Sequence, residues 1–151
     1  MDQYNSLIAP ENIQYVNNLV DATLEDVMKI EAEIEGAYAN RASLIKEIKQ
    51  LEGGIQLEEA NAFMTIAEDN TVQIDGRKVK LSNAEMRSMY QKYVTAETRK
   101  QLIEKQADLA EIDTNITLLK DRWDMVKSSA NLVEARSWAQ GNLLKFLSSK
   151  G

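Results

Sequence analysis

The stretch TVQIDGRKVKLSNAEM, Thr71 to Met86, decides the fold. Val72 and Ile74 alternate with Gln73, and Val79 and Leu81 alternate with Lys78 and Lys80. Asp75-Gly76 sits between the two runs. Asp-Gly between alternating apolar residues predicts a two-residue β-hairpin, because a type I′ turn needs positive φ at both central positions. In that register Val72 faces Val79 and Ile74 faces Arg77. Val72, Ile74, Val79 and Leu81 share one face, and Gln73, Lys78 and Lys80 the other. A lone hairpin is marginal in water, so its apolar face is expected to pack on a helix or a neighbouring subunit. The residues that follow restart a helix. Ser82-Asn83-Ala84-Glu85 reads as a capping box, Ser82 at the N-cap and Glu85 at N3, with Leu81 and Met86 as a hydrophobic staple. That spacing predicts a helix from Asn83.

Upstream the pattern is helical from Pro10, a residue suited to a helix's first turn. Ile13, Val16, Val20, Val27, Ile30, Ile34, Ala37, Leu44, Ile48 and Leu51 recur at spacings of three and four, with Thr23 and Arg41 at the two remaining seam positions. This is a coiled-coil seam of about five heptads. Gly53-Gly54 is expected to break or bend it. Ile55, Leu57, Ala60, Phe63, Met64 and Ile66 then suit a shorter helix ending near Asp69-Asn70. Downstream, Leu109, Ile112, Ile116, Leu119, Trp123, Val126, Ala130 and Val133 form a second seam, expected to fade near Gln140-Gly141. The expected fold is mainly α: a long antiparallel helical hairpin of coiled-coil type with a small β-hairpin near its middle. We read residues 1–151 as one domain. It comprises an acidic helical half (1–70), the β-hairpin (71–81), a long basic helix (82–140) and an amphipathic tail (141–151).

Composition removes several function classes. The chain has no Cys and no His. Disulfide and thiol chemistry are excluded, and the usual neutral-pH base and commonest metal ligand are missing. Neither a phosphate-binding Gly-rich loop ending in Lys-Ser/Thr nor a Gly-x-Ser-x-Gly elbow occurs. The Asp75-Gly76 region fails as a calcium loop, since Thr71 and Ser82 fall where acids are needed. The acidic runs LEDVMKIEAEIE and LEEANAFMTIAED have the spacing of solvated helix faces rather than paired catalytic carboxylates. We therefore expect no enzyme activity, no catalytic residues, no metal and no cofactor. The N-terminus lacks a basic start and apolar run, and no stretch approaches the ~18 apolar residues of a membrane span. The expectation is a cytoplasmic protein without membrane association, in which the sequon at Asn115 carries no sugar.

Net charge is −6, unevenly spread. Residues 1–70 carry four Lys/Arg against fourteen Asp/Glu, a balance of −10, and residues 71–151 carry fourteen against ten, a balance of +4. Such asymmetry fits a polyanionic partner, head-to-tail contact between subunits, or two helices neutralising each other in one hairpin. Between Thr71 and Ala107 eight cations (Arg77, Lys78, Lys80, Arg87, Lys92, Arg99, Lys100, Lys105) oppose four acids, with Tyr90 and Tyr93 among them. Cations interleaved with aromatics are the pattern of single-stranded nucleic-acid binding: charges follow phosphates and rings stack on bases. Helix-surface lysines and seam-packed tyrosines produce the same pattern without a ligand.

The segment from Leu81 to Trp138 resembles the C-terminal half of the UvsY-like recombination mediators of T-even-type phages. The features that carry the resemblance are the acid-Met-basic triplet Glu85-Met86-Arg87 at a helix start and the long helix with basic residues in its first turns. Arg136 beside Trp138 near the end completes them. Such mediators are non-enzymatic ring-shaped oligomers that bind single-stranded DNA. They help load a RecA-like recombinase by displacing the single-strand-binding protein. The resemblance implies a homo-oligomer with those partners, in the host cytoplasm of a phage-infected cell, and carries over Arg87 and Arg136 as DNA-contacting positions. With the basic segment, the expected nucleic-acid-binding set is Arg77, Lys78, Lys80, Arg87, Lys92, Arg99, Lys100 and Arg136. The alternative is a coiled-coil structural or prefoldin-like chaperone or adaptor that binds protein through Val72, Ile74, Val79 and Leu81. An acidic decoy ranks behind both, because the acids keep helix-face spacing.

Overall fold

The computed structural model describes residues 6–150. Along the chain come α1 (Pro10–Met64), β1 (Thr71–Ile74), β2 (Arg77–Lys80), α2 (Ala84–Val94) and α3 (Ala96–Ser149). The chain is mainly α with one small antiparallel β-hairpin, as the periodicity predicts. Two compact units form among the described residues. The first takes residues 6–38 with 114–150, and the second takes Ala39–Asp113.

In the first unit the start of α1 runs antiparallel to the end of α3. Val16, Ile30, Ala37, Ile116 and Leu119 are buried, all on the predicted seams. Arg122 pairs with Glu33 at 3.7 Å, and Lys120 stands 5.4 Å from the Tyr38 ring centroid. Gln140, only 5% exposed, donates to the Leu7 carbonyl at 2.9 Å and so satisfies its buried amide.

In the second unit the end of α1 runs antiparallel to the start of α3. Leu44, Ile48, Ile55, Ala62, Val72 and Leu81 form the core. Arg41, the polar residue at a seam position, donates to Asp113 at 2.6 Å. A polar seam residue with a fixed cross-helix partner specifies register at some cost in stability. Lys105 meets Glu47 at 2.8 Å, and Thr98 donates to both Glu58 carboxylate oxygens at 2.8 and 3.0 Å.

Four expectations are corrected. First, α1 does not break at Gly53-Gly54, and no separate helix follows; one helix continues to Met64. Glycine costs about 1 kcal/mol in a helix interior, whereas burying an Ile side chain returns about 1.5–3 kcal/mol. Buried Ile48 and Ile55 flank the glycines, so the seam outweighs them. Second, the helix N-cap is Asn83, not Ser82: Asn83 Oδ1 accepts from the Met86 N–H at 2.8 Å, and α2 begins at Ala84. The shift places Glu85 in the first turn, where it still favours the helix dipole. Third, the helix predicted over 82–140 is interrupted at Thr95. Thr95 is fully buried, and its hydroxyl donates back to the Gln91 carbonyl at 2.8 Å. Fourth, helix does not fade at Gln140-Gly141 but continues through the tail to Ser149.

Candidate nucleic-acid interface

The hairpin forms in the predicted register, Val72 opposite Val79 and Ile74 opposite Arg77. Asp75 and Gly76 take φ of 49° and 76°, the left-handed pair that a type I′ turn requires. Asn70 is also left-handed, at φ 58°, a conformation Asn tolerates. Its carbonyl accepts from the Leu81 N–H at 2.7 Å, tying off the open end of the ladder. Val72 and Leu81 are buried at 4% and 3% exposure, and Ile74 and Val79 are half-buried. The apolar face is therefore used inside this unit, and Gln73, Lys78 and Lys80 point outward.

The predicted cations separate into classes. Arg77, Lys78, Lys80, Arg87, Lys92, Arg99 and Lys100 all belong to the unit Ala39–Asp113; Arg136 belongs to the other. Arg99 has structural duties: its guanidinium pairs with Glu59, and its Nε donates to Thr95 Oγ1 at 2.8 Å. Lys78 lies 3.4 Å from Asp69, an exposed pair that contributes little. The Thr71 hydroxyl, and after it Lys78, hold the Asp69 carboxyl below its ordinary pKa. Arg136 stacks over Tyr15 at 5.5 Å. Arg87 is half-buried, and its Nε reaches the Asn83 carbonyl at 3.4 Å. Among the described residues no carboxylate lies within 4 Å of the side-chain nitrogens of Arg77, Lys80, Arg87, Lys92 or Lys100. Arg77, Lys80, Lys92 and Lys100 are also exposed.

The aromatics separate too. Tyr90 is half-buried with its hydroxyl 3.1 Å from Thr65 Oγ1, whereas Tyr93 is 56% exposed. On α2 Arg87 and Lys92 stand five residues apart, about 140° around the helix axis, so they do not form one stripe. Phe63 and Met64, counted in the sequence among the apolar set of a shorter helix, are instead left 62% and 82% exposed at the end of α1, and Met89 on α2 is 64% exposed.

Among the described residues no cluster of three or more His, Cys, Asp or Glu could hold a metal ion, and no helix is long and apolar enough to cross a membrane. No family model matches the chain, and neither a curated protein nor a solved structure is significantly similar to it.

Proposed function

We propose that the protein is an oligomeric, non-enzymatic mediator of DNA recombination that binds single-stranded DNA and helps load a RecA-like recombinase. The observation that carries the reading is that four of the predicted contact residues, Arg77, Lys80, Lys92 and Lys100, are exposed cations without carboxylate partners in the unit that also exposes Tyr93. Cations whose charge is not spent on neighbouring acids bind phosphates through counterion release, and an exposed ring offers a base a stacking face. Arg99 falls outside the contact set, because its charge is engaged by Glu59. The recombinase and the displaced single-strand-binding protein come from the resemblance of the segment Leu81–Trp138 to the mediators. Several copies acting together would multiply a modest site by avidity. A labelled single-stranded oligonucleotide titrated at low and moderate salt tests the reading: affinity is expected to fall steeply with salt, and absence of binding at low salt would overturn it.

A second reading, a prefoldin-like or coiled-coil adaptor for protein partners, draws on the exposed Phe63, Met64 and Met89. The hairpin supports it less than its sequence suggests, because Val72 and Leu81 are already buried. Loss of protein binding in a Phe63→Ser/Met64→Ser variant that still binds the oligonucleotide would favour it.

A further inference from the structure

The unit formed by residues 6–38 and 114–150 carries an apolar groove that its two-helix seam does not fill. The groove holds about 650 Å³, and Leu24, Val27, Trp123, Ala130, Val133 and Trp138 are among its walls. With Val20, Thr23, Val27 and Ile30 as alternating a and d positions, Leu24 is an e position. A two-stranded coiled coil usually places charge there, and an apolar e residue widens the stripe to fit a further helix. Leu24 is 57% and Trp138 73% exposed. Both of the chain's tryptophans line the groove.

The same unit exposes a second apolar surface. The last turns of α3 expose Leu144, Phe146 and Leu147 at 40%, 53% and 41%, interleaved with Lys145 and followed by Lys150. The groove's charged lining residues are Glu134 and Lys127, and Asp21 and Glu25 stand beside Leu24 on the adjoining face of α1, so these four groups sum to −2. A basic amphipathic helix end and an acid-rimmed apolar groove are complementary in shape and charge. The tail cannot enter the groove of its own chain. Trp138 and Phe146 lie on one continuous helix, eight residues or roughly 12 Å apart along its axis, so the tail leads away from the groove.

We propose that the groove receives the α3 end of a second copy, each copy giving its tail to the other's groove in a two-fold exchange. Such an isologous contact closes on itself and covers both surfaces at once. It stands on the groove and tail alone, and it is tested without DNA, so it survives or fails separately from the nucleic-acid reading.

The test uses the full chain. Sedimentation equilibrium is expected to show dimer growing with concentration, and tryptophan emission to shift to the blue over the same range. Phe146→Glu/Leu147→Glu and Trp138→Glu are each expected to weaken association at least about tenfold. Helical circular dichroism should stay unchanged, because these side chains are exposed. The absence of native cysteine permits a direct check. A Leu24→Cys chain mixed with a Phe146→Cys chain should give a mixed disulfide dimer, well above a Gln56→Cys control. A chain that stays monomeric at hundreds of micromolar overturns the proposal. So does an oligomer indifferent to the tail and groove variants, or a cross-link no stronger than the control.

Discussion

Asn83 and Ser82 are both good N-caps, and only geometry chooses between them. Asn83 reaches the Met86 N–H, while the Ser82 hydroxyl turns to the Met86 sulfur at 3.2 Å. Asn83→Ala should therefore cost about 1 kcal/mol in urea unfolding, and Ser82→Ala less than about 0.5 kcal/mol. A larger loss at Ser82 would refute the assignment. Asp69 gives a pH-dependent counterpart. Its carboxyl titrates below the ordinary aspartate range in the fold, so its contribution is present above that range and is lost as pH falls through the lowered value. Carboxyl-detected NMR titration of Asp69 should show the depressed midpoint, and Thr71→Val should raise it toward the ordinary value. Thr71→Val is the sharper variant of the two contacts, because the Thr71 hydroxyl is the larger cause of the shift.

At the scale of elements, the glycine pair and the threonine break show local preference losing to packing. Gly53 and Gly54 sit inside α1, and a Cβ on either would meet nothing within 4 Å. Gly53→Ala and Gly54→Ala should each stabilise the protein by about 0.5–1 kcal/mol, read as a rise in thermal midpoint. A fall would show that one of them has a duty other than helix continuation. Thr95 is the converse. Threonine is not a strong breaker, yet the helix is interrupted where Thr95 is buried and its oxygen receives Arg99 Nε. Arg99→Gln should accordingly lower the thermal midpoint more than Lys100→Gln, whose side chain is exposed.

Across the whole molecule, the proposed binding of single-stranded DNA rests on charge. For single strands each neutralised phosphate contributes about 0.7 to the slope of log affinity against log salt. Replacing Arg77, Lys80, Lys92 and Lys100 together by Gln should flatten that slope by up to about three while leaving the fold intact. Arg99→Gln should leave it unchanged. Equal flattening by both variants would mean that Arg99 contacts DNA despite its pairing with Glu59.

The hairpin was fully legible in the sequence, because the turn depends on residues at the site itself: Asp-Gly is among the few dipeptides that readily meet two adjacent positive φ values, and alternation then sets the faces. Both heptad seams were legible for the same reason, since their period lies in the chain. Four features needed the tertiary structure: the continuity of α1 through Gly53-Gly54, the choice of Asn83 over Ser82, the break at buried Thr95, and helix through to Ser149. The candidate site was legible as composition but not as availability. Arg99 and Lys100 are neighbours of equal charge, and only the position of Glu59 on the opposing helix separates a paired cation from an exposed one. Local propensities differ by about 1 kcal/mol per residue, and burial of one seam side chain moves as much or more. What depends on φ alone was therefore determined by the sequence, and what depends on which distant residue stands opposite was decided by the fold.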